Sequence, residues 1–329
     1  MDLKTFLQRS NIHLDLAVEA HALLRGDADV EVDGVAMNQE DFSDGTITVI
    51  TIKDAMAEKT MGRPIGTYIT FELPELRDAD LLREYQVTTT ELAKKLKKVI
   101  DPKKDNTFLV VGLGNWHATP DALGPRVVEK TLVTRHLFKF IPEEVDGKMC
   151  NVAAITPGVL GLTGIETADM LRGLVEHVKP DCLIAIDALA AGSLSRIGTT
   201  IQIADTGINP GSGIGNHRRG LNEETLGCKV VAIGVPTVVN AAVIAHQTLE
   251  AILKEFESEP ALAAIYSPDH EESLMGIVDN VLHPFRGSLM VTPKEVDELI
   301  EKSALIIAGA LNICLHPDIN KDNYESTLY

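Results

Sequence analysis

The chain has 329 residues, 45% of them hydrophobic, and a formal net charge of -18; it can bury a large core but is too acidic to neutralise a nucleic-acid backbone. Its four cysteines (Cys150, Cys182, Cys228, Cys314) stand far apart without a C-x-x-C pair, which argues against a disulfide framework or thiolate metal cluster and for a reducing cytoplasm. No apolar run approaches the ~18 residues of a membrane span, so neither membrane nor direct nucleic-acid partners are expected.

Residues 16–25 read as a short amphipathic helix behind a polar, aperiodic segment. β-Branched residues dominate from Thr46 to Ile52 and from Gly66 to Leu73, separated by a Gly62-Arg63-Pro64 breaker. This pattern predicts an antiparallel pair. A helix with a Lys-rich last turn follows over 78–99.

Beyond Asp101-Pro102, apolar runs at 107–112, 151–156, 182–187, 201–205 and 230–235 alternate with helical segments. Continuous runs of this kind are strands covered on both faces. The expected fold class is therefore α/β: a three-layer α/β/α core (phosphorylase/hydrolase-like) over 105–329, with an additional small antiparallel β element from the N-terminal third. Residues 16–104 supply the helix, β-pair and helix packed on that core. Capping boxes are read at Thr163 with Glu166 and at Thr292 with Glu295, the second with Pro293 at the first helical position. Residues 257–273 are the expected loop.

Ligands in open α/β sheets sit beyond the carboxyl ends of the strands, so the residues after each apolar run carry the candidate chemistry. After the 107–112 strand, Gly112, Gly114 and Asn115 make a tight turn that presents Asp121 near the next helix. This is no dinucleotide turn, because the third glycine of G-x-G-x-x-G would fall at His117. Asp187 interrupts an apolar stretch of strand and small residues. A lone buried charge there must be paired, hydrogen-bonded or protonated. Two carboxylates at adjacent strand ends could share a proton, one acting as base on a water and the other as acid. Each would serve equally as a helix cap.

Asp205, in Asp-Thr-Gly, is the secondary candidate. Beyond it Gly211, Gly213 and Gly215 offer backbone N–H groups to a substrate peptide or an oxyanion. Other chemistries fail on spacing: His270-Glu271 is followed by Leu274 where H-E-x-x-H needs a second His, and no G-x-S-x-G elbow occurs.

The blocks VGLGNWHATPDALGP, LVTRHLF, PGVLGLTGIET, IAIDALAA, DTGINPGSGIGN, AIGVPTVV and LMVTPKEVD, in this order, resemble the germination protease family of spore-forming Firmicutes. The likeness runs from the N-terminus to about Leu315. It implies an endopeptidase, similar in core fold to the hydrogenase-maturation proteases, that degrades small acid-soluble spore proteins when a spore germinates. The implied catalytic pair, of aspartic type, is Asp121 and Asp187. A homotetramer in the developing forespore and spore core is implied as well. No cofactor is expected, although a bound divalent ion stays open because the family has also been classed with metallopeptidases.

Members of the family are made as precursors that shed a short propeptide, and they cut after an acidic residue followed by an apolar residue and alanine. His13-Leu14-Asp15-Leu16-Ala17-Val18-Glu19-Ala20 has that form. The resemblance thus implies residues 1–15 as propeptide and self-cleavage between Asp15 and Leu16, while Asp15 would also suit a cap for the helix beginning at Leu16. The chain departs from the family by its shortness between Phe256 and Ser273 and by a C-terminus without clear counterpart after His316. Two alternatives come from other classes. The Val111–Asn115 turn with Thr134-Arg135-His136 is similar to peptidyl-tRNA hydrolases, which would need a basic face; a metal- or nucleotide-sensing α/β module would keep the fold without turnover.

Overall fold

The computed structural model describes residues 6–7, 12–26, 31–77, 85–145, 147–211, 219–258, 270–285 and 289–328. In chain order its principal elements are α1 (Ala17–Arg25), β1 (Val35–Phe42), β2 (Gly45–Ile52), α2 (Ala55–Met61), β3 (Gly66–Glu72), α3 (Gln86–Ile100), β4 (Thr107–Gly112), α4 (Leu123–Lys130), β5 (Asn151–Ile155), α5 (Thr167–Val178), β6 (Cys182–Ala191), β7 (Thr200–Ala204), β8 (Lys229–Asn240), α6 (Ala241–Ser258), α7 (His270–Leu282), β9 (Met290–Val291) and α8 (Val296–Leu315). The strands form one nine-stranded sheet in the order β1-β2-β3-β7-β8-β6-β4-β5, with β9 paired to β8. The α/β expectation holds, with the N-terminal strands continuous with the core sheet through the antiparallel β3–β7 pair.

Only β8, β6, β4 and β5 run parallel to one another along the row; β7, read among the alternating strands, pairs antiparallel with both β3 and β8. The side-chain period of two then sorts the core into layers. Ile184, Ile186, Ile201, Ile203, Val231 and Ile233 pack with α3, α4 and α8 on one face. On the other face Leu183, Ala185 and Val230 meet α5, while Leu189, Ala204 and Ala232 meet α1 and α2.

Several local expectations are corrected. The segment read as a helix over 78–99 is helical from Gln86 to Ile100 and is preceded by a 3₁₀ turn at Pro74–Arg77, with 78–84 outside the described residues. Neither expected capping box forms. Glu166 and Glu295 are themselves the N-cap residues of α5 and α8, without side-chain cap bonds. Thr163 bonds instead to Val159 and Ile165 around a one-turn helix, and Thr292 Oγ1 donates to Thr237 O at 2.8 Å. A capping box does form at Asn222 with Thr225, heading the short helix Glu223–Leu226. Two hydroxyl-to-acid spacings were thus used for turn and tertiary bonds, which spacing alone does not distinguish.

Candidate active site

A row of residues crosses the sheet at one level. Asp187 of β6 is opposite Gly234 of β8, which is opposite Gln202 of β7. Parity puts Gln202 and Asp187 on the α1 side, flanking a residue without a side chain. At ~4.8 Å per strand step their backbones stand about 10 Å apart. Asp187 is the sixth residue of a ten-residue strand rather than its end. The strand continues past a shift of register, where Leu189 pairs with Pro236 and Ala190 with Val238 so that Thr237 of β8 is the extra residue, and the ladder runs on to Ala191.

The row floors a cleft of about 150 Å³ lined by Asp187, Gln202, Gly234, Arg63 and Tyr68 and, notably, by Asp15. The chain's own segment 14–19 lies along it. Arg63 Nη2 donates to Leu14 O. Ala190 N, just past that shift, donates to Asp15 Oδ2 at 2.9 Å. Gln202 Nε2 donates to Asp15 O at 3.1 Å, and its Oε1 accepts from Ala17 N at 2.7 Å. Leu16 is fully buried among Ile50, Ile52, Tyr68 and Leu189, a burial worth about 1.5–3 kcal/mol. The Asp15–Leu16 peptide bond therefore sits under the Gln202 side chain in the cleft that Asp187 lines.

Asp15 does not cap the helix. Leu16 is the N-cap residue of α1 and carries no side-chain cap bond; the first helical N–H, that of Ala17, is satisfied across the cleft by Gln202. Four residues past the bond, Glu19 is buried with both carboxylate oxygens 2.9 Å from Gly192 N and with Arg196 Nε at 3.4 Å. Burial drives its carboxyl up to about 7, against the Gly192 hydrogen bond and the charges of Arg196 and Arg63, while Asp15 pushes it further up.

Asp121 stands in the adjoining loop. It closes the 3₁₀ turn Thr119–Asp121 after β4 and accepts from Asn115 N through Oδ2 at 2.9 Å. The loop is tied to the sheet by Leu113 N to Ile186 O at 2.8 Å, next to Asp187, and by Thr237 Oγ1 to Pro120 O at 2.6 Å. The glycines read as turn formers do this by close approach. A Cβ on Gly114, at φ +110°, would lie 2.0 Å from Asp121 O, and one on Gly112 would lie 2.3 Å from Gly124 O. Asp121 is not among the residues lining the cleft. The structure thus brings Asp187 to Asp15 and sets Asp121 in the loop hydrogen-bonded beside it.

Asp205 has another use: its Oδ1 accepts from Thr67 N at 2.7 Å, closing the end of the β3–β7 ladder. Gly211 lines the cleft, whereas Gly213 and Gly215 lie outside the described residues. Sequence reasoning missed Arg63, Gln202 and Arg196. Gln202 left a signal, being the one polar residue inside the apolar run IQIA. Arg63 was read only as part of a breaker.

Among the described residues no three His, Cys, Asp or Glu side chains converge so as to hold a metal ion. The chemistry below uses side chains alone. No helix among the described residues is long and apolar enough to cross a membrane.

The fold and the site define an α/β protein with a segment of its own chain laid in a carboxylate-lined cleft. The germination protease family model matches residues 14–265 and 261–328. The germination protease of Caldanaerobacter subterraneus subsp. tengcongensis is 44% identical over 322 residues, covering 97% of this chain and 98% of that protein. Those of Clostridium perfringens and Bacillus cytotoxicus are 43% and 44% identical, covering 94% and 96% of this chain and 98% and 97% of theirs. A hydrogenase maturation protease from Thermococcus kodakarensis is similar over 66% of this chain and 99% of its own, at 21% identity and a TM-score of 0.34, too slight a likeness to carry an argument. The chain belongs to the germination protease family. It is an endopeptidase of spore germination.

Proposed function

We propose that this endopeptidase first cuts its own chain between Asp15 and Leu16, then opens small acid-soluble spore proteins after acidic residues in the same cleft. The observation that carries this reading is the seating of the Asp15–Leu16 bond between Gln202 and the strand that bears Asp187. While segment 14–19 fills the cleft, no other peptide can lie there, so the uncut chain is a precursor without activity on other proteins.

In the proposed step, a water gives a proton to Asp187 and its oxygen attacks the Asp15 carbonyl carbon. The bond to Leu16 nitrogen then breaks as that nitrogen takes the proton back from Asp187, leaving a new α-carboxyl group on Asp15, an amine on Leu16 and Asp187 ionised again. Asp121, hydrogen-bonded in the adjoining loop, is the second carboxylate of the pair. Family resemblance further supports a homotetramer working in the spore core.

The test is the pair Asp187→Asn and Asp121→Asn, assayed for self-processing and for digestion of a purified small acid-soluble spore protein. Each is expected to lower both rates by at least about 10³-fold with the unfolding midpoint little changed. Wild-type digestion by either variant moves the chemistry to other side chains.

A further inference from the structure

Gln202 is 7% exposed, in an otherwise apolar strand, and both ends of its side-chain amide are taken up by segment 15–17. Its orientation is determined by chemistry. Ala17 N can only donate, so the atom facing it is Oε1, and Nε2 faces Asp15 O. That oxygen belongs to the peptide bond proposed for cleavage. Through the register, Gln202 stands across Gly234 from Asp187, so base and donor occupy opposite walls of one trough.

We infer that Gln202 is a catalytic residue of the peptide hydrolysis, donating from Nε2 to the scissile carbonyl oxygen as negative charge develops there; this rests on the self-cleavage reading. The residue transfers no proton. The proton released by the attacking water goes to Asp187, the broken bond is that between Asp15 carbon and Leu16 nitrogen, and Nε2 keeps its hydrogens while its hydrogen bond strengthens. A donor held in a buried strand, its plane held by a second bond to Ala17 N, is already oriented when the oxyanion forms. Both bonds go to backbone atoms, so the clamp serves any substrate that has an N–H two residues past the cut. Once residues 1–15 are shed and Leu16 and Ala17, still attached to α1, draw back from Gln202, the two buried ends of its amide take up the backbone of the next peptide.

The experiment follows first-order self-cleavage of the full chain by intact-mass spectrometry across pH, for wild type, Gln202→Glu, Gln202→Met and Ala17→Pro. Gln202→Met, which lacks donor and acceptor, is expected to slow cleavage about 10²–10³-fold at every pH. Gln202→Glu keeps an acceptor for Ala17 N and regains a donor only when its carboxyl is protonated. Its rate is therefore expected to rise relative to Gln202→Met as pH falls, a profile that a purely structural role would not produce. Ala17→Pro leaves β7 untouched and places proline at the first helical position, which helices accept, but removes the N–H that orients the amide; a slowing of at least about tenfold is expected. Cleavage of Gln202→Met at the wild-type rate, or a Gln202→Glu to Gln202→Met ratio independent of pH, overturns the assignment. A wild-type chain that is not cut after Asp15 overturns instead the reading beneath it.

Discussion

Glu19 shows how a single buried acid couples the docked segment to pH. Its carboxyl titrates at about 7 in the folded chain, above the ordinary carboxylate value of 4.5, because burial opposes the charged form. The folded state then holds a proton that the unfolded state has released between those values. The stabilising contribution is full below about 4.5 and is lost as pH rises through about 7. The groups facing it are Arg196, Arg63 and Asp15. Glu19→Gln, permanently neutral, should therefore gain in unfolding midpoint over the wild type as pH rises from about 5 to about 8. A difference constant with pH would show that Glu19 remains ionised in place.

At the scale of elements, the cleft exists because β6, β8 and β7 meet where β8 has a glycine. A Cβ on Gly234 would lie 2.5 Å from Leu189 Cδ1, inside the cluster that buries Leu16. Gly234→Ala should cost about 1–3 kcal/mol in stability by chemical denaturation. An unchanged midpoint would mean that Leu189 can move aside freely. The strands themselves were legible in the sequence because continuous apolar runs such as CLIAI and VVAIGV have few alternatives. Their directions were less so. β7 looks like its parallel neighbours because burial on both faces produces the same apolar run whichever way a strand points. β1, reading VAMNQEDF, is not marked by the sequence pattern, since every one of its residues is half-buried or exposed at the sheet edge and it carries no apolar period.

Across the whole molecule, what sequence could not convey was the meeting of distant segments. Asp187 and Asp15 were each singled out by their surroundings in the chain, one in an apolar strand and the other before an apolar residue and alanine. Nothing in spacing tells that they share a cleft, because the contact spans more than half the chain and arises from α1 folding back over β7 and β6. Gln202 escaped for the same reason: its partners, Asp15 and Ala17, are 187 and 185 residues away along the chain.

The proposed self-cleavage, of a segment seated in its own chain's cleft, is an intramolecular event. The most direct measurement is the intact mass of purified full-length protein followed in time at several protein concentrations. The expected product begins at Leu16, appears at a rate independent of concentration, and is absent from Asp187→Asn. A first cut elsewhere, or a rate proportional to protein concentration, would contradict the assignment of this cleft to self-cleavage.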